Sequence, residues 1–195
     1  MERSTPIATG NDRKTQQSDH RPLTNVALLI NQTEIPTNAL FSDHEAWAKD
    51  RQQIQSFHAF AAQLTRDGFD CIAHACASLS IALEYPTISK SSTSGTIDSP
   101  SRRPSGPALK AVVTMAEFWI SQCGEGVHER CKHDGTSGSV RGPLWQGKEG
   151  FSADRYRFWQ RRFGEIAEDE GVDDATRELA GRAEVGMRRL EIVVT

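Results

Sequence analysis

"PALKAVVTMAEFWISQCGEGV", Pro107 to Val127, places Leu109, Val113, Ala116, Ile120, Cys123 and Val127 alternately four and three residues apart. That is the period of an α-helix with one buried face; a half-buried strand would put an apolar residue at every second position. Pro107 suits the first helical position, where its missing N–H has no intrahelical partner to lose.

The same period recurs on both sides. Downstream, after a Gly-rich loop, Ser152 is placed to cap a helix carrying Tyr156, Trp159, Phe163 and Ile166, closed by Gly171. Asp173 caps a fifth helix, with Leu179, Ala183, Met187 and Leu190 facing inward. Upstream, "SDHE" (Ser42 to Glu45) reads as a capping box. Trp47, Ile54, Phe57, Ala61 and Leu64 follow at helical spacing until Gly68. Phe69, Ile72, Cys76, Leu79 and Leu83 make a second stripe, stopped by Pro86, and the short connection predicts an antiparallel pair. No segment alternates with period two and no internal repeat is evident. The expectation is an all-α fold: an antiparallel helical bundle of about five main helices, one helical domain over residues 23–195.

Two segments stand outside that pattern. Residues 1–22 are polar, mixed in charge and aperiodic, and read as a disordered tail. A weak apolar patch (Val26, Leu28, Leu29, Ile30) follows before Pro36. Residues 86–106, "PTISKSSTSGTIDSPSRRPSG", are rich in Ser and Thr with almost nothing to bury, and read as a disordered insertion. The "RRPS" and "SP" within it match kinase-site patterns that Ser-rich linkers produce freely.

At 195 residues the chain is long enough for one domain with a real core. A formal charge of -3 gives no electrostatic case for nucleic acid or an anionic membrane as partner. The N-terminus has no signal-peptide run, and Val26 to Ile30 falls far short of the ~20 apolar residues that span a bilayer. The expectation is an intracellular protein, cytoplasmic or nuclear and not secreted, with its four cysteines reduced.

Four motifs suggest chemistry. "GPLWQGKEG" (Gly142 to Gly150) is close to a phosphate-binding loop. However, Pro143 lacks an N–H, Leu144 and Trp145 are bulky, and Glu149 stands where a magnesium-binding hydroxyl is needed. It reads better as a connector: Gly142 and Gly147 turning the chain, Leu144 and Trp145 plugging the end of the bundle.

"CGEGVHERCKH" holds Cys123, His128, Cys131 and His133, all zinc-ligand types. On a continuous helix the two cysteines lie about 12 Å apart along the axis, so only His128 and Cys131 could share an ion. Cys71 and Cys76 of "CIAHAC" point about 140° apart on a helical wheel. A composite zinc site would need donors from both helices to converge. In "DDATRE", Asp173 and Asp174 are explained by capping and the helix dipole, because Arg177 stands where a third carboxylate would serve magnesium.

The helix "SADRYRFWQRRFGEIAEDE" carries Arg155, Arg157, Arg161 and Arg162. Arg157 and Arg161 fall opposite the apolar stripe, whereas Arg155 and Arg162 border it beside Phe158. The bland reading is a solvated face with snorkelling arginines. The sharper one joins Arg155, Phe158, Arg162 and Trp145 into an aromatic–arginine patch for a partner or ligand, the residue types favoured at binding hot spots.

Gly142 to Asp169 resembles a large filamentous-fungal family of all-helical proteins of unknown function. The resemblance rests on Leu144, Trp145, Gly147, Lys148, Gly150, Phe151 and Ser152, then Arg155, Phe158, Trp159, Arg162 and Phe163. Tyr156 departs from the Trp expected there. "AEFWI" (Ala116 to Ile120) and "VDDATRELA" (Val172 to Ala180) fit as well, so the likeness is specific over about the last 90 residues and weak before Ser42. It implies a helical fold and a fungal origin, and no chemistry.

No cofactor, metal or catalytic set is therefore assigned. The reading favours a non-catalytic scaffold or protein-interaction protein, with an unidentified protein partner. The alternative is a small-ligand binder or enzyme with a pocket between helices. That would require Arg155 or Arg162, His74 or His128, and Glu117 to converge on one cavity.

Overall fold

The computed structural model describes residues 45, 48–86, 106–133 and 141–192. The tail at 1–22, the patch at Val26 to Ile30, nearly all of the capping box, Trp47 and all but the two ends of the 86–106 insertion lie outside the described residues. Five helices are described: α1 (Ala48–Arg66), α2 (Ala73–Leu83), α3 (Gly106–Lys132), α4 (Ala153–Glu168) and α5 (Asp174–Ile192). They form a helical bundle, as the sequence predicts.

The stretch from Pro107 to Val127 is the central helix, and α3 packs against each of the other four. All six residues of its stripe are buried, and so are Val112, Met115 and Trp119, which widens the buried face enough to serve several neighbours. Burying a large apolar side chain contributes roughly 1.5–3 kcal/mol, so this helix is the main source of core stability. It kinks at Cys123 (φ −133°, ψ 19°), whose thiol donates to the Ala62 carbonyl of α1 at 3.1 Å. Gly124 beside the kink lets α5 approach; a Cβ there would sit 3.0 Å from Leu190 Cδ1.

The helix boundaries have local causes. At Gly68 (φ 97°) α1 ends in a Schellman turn, in which the Gly68 amide bonds the Thr65 carbonyl and the Phe69 amide bonds that of Leu64. The Ser152 hydroxyl accepts the Arg155 amide at 3.2 Å and starts α4. Asp173 accepts the Thr176 amide and hydroxyl at 3.1 and 2.6 Å and starts α5. Ser152→Ala should therefore cost about 1 kcal/mol, read as a lower urea midpoint at unchanged slope. An unchanged midpoint would mean that the hydroxyl contributes nothing to the start of α4.

One pairing differs from expectation. Helices α1 and α2 touch each other far less than each touches α3. The reason is that α2 is not amphipathic: Ala75, Cys76, Ser78, Leu79, Ser80, Ile81, Ala82 and Leu83 are all buried. A helix buried on every side from Ser78 to Leu83 packs into the bundle there rather than pairing through one stripe.

Candidate functional site

Just past the last residue of α2, Glu84 is fully buried, and so is Arg155 in the first turn of α4. Two uncompensated charges at this depth would be costly; they persist only where geometry and hydrogen bonding are complete. Here they are. Arg155 Nε donates to Glu84 Oε1 at 2.6 Å and Nη2 donates to Oε2 at 3.0 Å. The other guanidinium donors reach Ser80 Oγ at 2.8 Å, the Gly150 carbonyl at 2.7 Å and Cys76 Sγ at 3.6 Å. The Trp159 indole donates to Glu84 Oε1 at 2.8 Å, and the Gly142 amide donates to Oε2 at 2.9 Å. All five guanidinium N–H groups and both lone pairs of each carboxylate oxygen are engaged. The guanidinium also lies 5.1 Å from the Trp159 ring centroid and 6.0 Å from that of Trp145.

The motif Gly142 to Gly150 explains itself against this pair. Gly142 passes so close to the end of α2 that a Cβ would lie 2.5 Å from Glu84 Cβ and 2.6 Å from its carbonyl oxygen. Gly147 lies against the Trp145 ring, where a Cβ would be 2.2 Å from Cζ2. Both turn the chain as expected, Gly142 opening the turn that the Trp145 amide closes on its carbonyl at 3.2 Å and Gly147 lying at a bend, and both are also glycines of close approach; the positive φ belongs to Gly150, at 81°. Trp145 is buried and its indole donates to the Lys148 carbonyl at 2.8 Å. Leu144, expected beside it as part of the plug, is exposed instead.

The four residues of the expected patch come together at this end, but mostly on the inside. Arg155 has no exposed surface and holds a carboxylate, so it neither borders the solvated face nor snorkels. Half-buried Phe158 packs on Trp145 with ring centroids 5.3 Å apart. Arg162 donates through Nε to the Leu83 carbonyl at 3.0 Å, where a cation suits a helix C-terminus, and through Nη1 to Glu165. Arg161 takes the exposed role, its guanidinium 5.4 Å from the Phe158 ring centroid.

A second polar cluster joins α1, α2 and α3. The Ser78 hydroxyl and the Trp119 indole both donate to Nδ1 of buried His58, at 2.8 and 3.2 Å. An indole can only donate, so Nδ1 is the unprotonated nitrogen. Burial, reinforced by the charge of His74, pushes the His58 pKa down to about 3. Ser78 and His58 have the order of a nucleophile and its base. Yet both are closed off from solvent, and Trp119 occupies the nitrogen that would take the proton.

The zinc-ligand types do not gather. The Cys123 thiol is on Ala62, the His128 ring lies 4.9 Å from that of Tyr156, and His133 pairs with Glu129 at 2.9 Å. Among the described residues, no group of three or more His, Cys, Asp or Glu side chains is placed to hold a metal ion. The convergence required for a pocket enzyme is not formed either. Glu117 pairs with Arg182 at 3.4 Å and lines a groove of about 740 Å³ between the end of α1, the kink of α3 and α5. His128 lines a separate groove of about 400 Å³ beside Tyr156, and Arg155 lines neither.

Sequence reasoning missed Glu84, Ser80, His58 and Ser78. Glu84 left one trace: a carboxylate directly after an apolar helix and two residues before Pro86, with no basic residue at i±3 or i±4 to answer it. No helix among the described residues is long and apolar enough to cross a membrane. The profile of one family, described as "Protein of unknown function (DUF3632)", matches residues 12–163. It reaches further towards the N-terminus than the likeness seen in the sequence, and it stops within α4. No curated protein and no solved structure matches the chain.

Proposed function

Since the chain belongs to this family of proteins of unknown function, we propose from its own geometry that it is a non-catalytic helical scaffold or interaction protein, of filamentous-fungal origin, working in the cytoplasm or nucleus. One observation carries the reading. The buried groups that most resemble chemistry, Arg155 with Glu84 and His58 with Ser78, have their polar atoms committed to one another and to the backbone. Groups so engaged hold a shape, and a rigid shape is what an interaction protein presents.

The groove at the α3 kink is the face that best fits a partner. Its rim carries Arg66, Arg182 and Arg189 against Glu117 and Glu125, a local positive excess on a chain of net charge -3. An acidic partner segment is the complement. Arg66→Glu/Arg189→Glu changes two exposed side chains in the last turns of α1 and α5 and should cost only about 0.3–1 kcal/mol at each, leaving the fold intact. Proteins captured by the wild-type chain from its native host should fall about tenfold or more in recovery. Equal recovery on wild type and variant would remove the groove from consideration.

The same groove supports the second reading, a small-ligand site, because about 740 Å³ is within the size range of ligand pockets. A ligand would raise the melting temperature of the isolated chain in a metabolite screen, whereas a protein partner would not appear there.

A further inference from the structure

Arg141 to Gly150 crosses the end of the bundle as a strap. Arg141, Pro143, Leu144, Gln146, Lys148 and Glu149 are exposed, and Trp145 is its buried apolar anchor. Part of its bonding is internal: the Trp145 amide to the Gly142 carbonyl at 3.2 Å, the Trp145 indole to that of Lys148 at 2.8 Å, and Gln146 to that of Pro143 at 2.9 Å. It is tied to the helices through Glu84 and Arg155. The Gly142 amide donates to Glu84 Oε2 at 2.9 Å, the Leu144 amide to the Glu84 carbonyl at 3.0 Å, and Arg155 to the Gly150 carbonyl at 2.7 Å.

Segments with little buried apolar surface open at a lower free energy than the whole molecule. Lifting this one would leave the bundle's own contacts in place. Glu84 and Arg155 would keep their mutual bonds, and the groups uncovered would be charged, so water could replace the lost partners. We infer that Arg141 to Gly150 is a cover that opens and closes over the Glu84–Arg155 pair as a unit of its own, while the five described helices stay folded. The open state brings the buried guanidinium and carboxylate to solvent, an access that the closed state denies.

Gly142→Ala tests this with one methyl group. Its Cβ would meet the side chain and backbone of Glu84, which the helix end holds in place. Hydrogen exchange read by mass spectrometry should speed up about tenfold or more across residues 142–150, with α2, α3 and α4 changed by less than about twofold. Equal acceleration in the helices would make the strap part of the cooperative core and overturn the inference; so would an unchanged strap. Wild-type protein gives a check that needs no variant. In urea well below the unfolding midpoint, exchange of the Gly142 and Leu144 amides should accelerate only slightly, as suits the small surface the strap exposes, while α3 amides accelerate steeply. Strap amides that follow α3 would also overturn it.

Discussion

Replacing Glu84 with alanine is expected to lower the unfolding free energy by about 3–5 kcal/mol, the largest loss from any single charged side chain described here. The cause is what stays behind. Arg155 would keep a full charge with no exposed surface, and the Trp159 indole and Gly142 amide would lose their acceptors. At about 2–4 °C per kcal/mol for a chain of this size, the midpoint should fall by about 6–20 °C. Arg155→Ala should cost a similar amount, because it strands the carboxylate. The double variant should then lose well under the sum of the two, as for residues acting as a unit. Arg155→Lys is not expected to rescue, since an ammonium has three donors and no planar fork for the carboxylate, Ser80, Gly150 and Cys76 together. Additive single losses, or a loss below about 1 kcal/mol for Glu84→Ala, would show that the pair holds nothing together.

That pair also marks where sequence reading stops. Periodicity finds α3, α4 and α5 because each shows its neighbours a stripe, and Ser152, Asp173 and Gly68 mark boundaries by local chemistry that needs no third dimension. The same method misplaces Arg155. On the wheel it stands at the edge of the stripe, one turn before Trp159, and a charge there reads as snorkelling. What turns it inward is a carboxylate 71 residues away, and helical spacing carries no information about partners at that distance. Gly142 and Gly147 are read only in part for a related reason. Glycine serves turns and close approaches alike; the turns are legible in the chain, while the second role appears only with the position of Glu84 and of the Trp145 ring. The stretch from Gly142 to Gly150 was therefore visible as a pattern of residues, while its physical content, a wrapping around one buried ion pair, was not.

The second large effect is expected in acid. His58 is buried and neutral, with its pKa taken from 6.5 down to about 3 by burial first and by the charge of His74 second. In the unfolded chain it binds a proton near pH 6.5, while in the fold it does not until about pH 3. Between those values the unfolded state holds more protons, so stability rises with pH there. The contribution is complete above pH 6.5 and is lost as pH falls, at about 1.4 kcal/mol per pH unit and on the order of 5 kcal/mol across the window. Geometry agrees with the direction, because a proton on Nδ1 would face the Trp119 indole N–H and oppose one donor to another. Asp173 also loses stability in acid. Burial works against its ionised form, but the Thr176 hydroxyl and amide hold its carboxyl below the ordinary range, so its loss begins lower than that of His58. His58→Gln separates the two: the amide oxygen can still accept from Trp119 and Ser78, and it does not titrate. The variant should be less stable at pH 7, yet its urea-derived stability should fall by about 1.4 kcal/mol less per pH unit between pH 6 and pH 4 than that of the wild type, the slope of one proton. Parallel slopes would mean that His58 takes up its proton inside the fold, and that the cluster linking α1, α2 and α3 admits a charge at no cost.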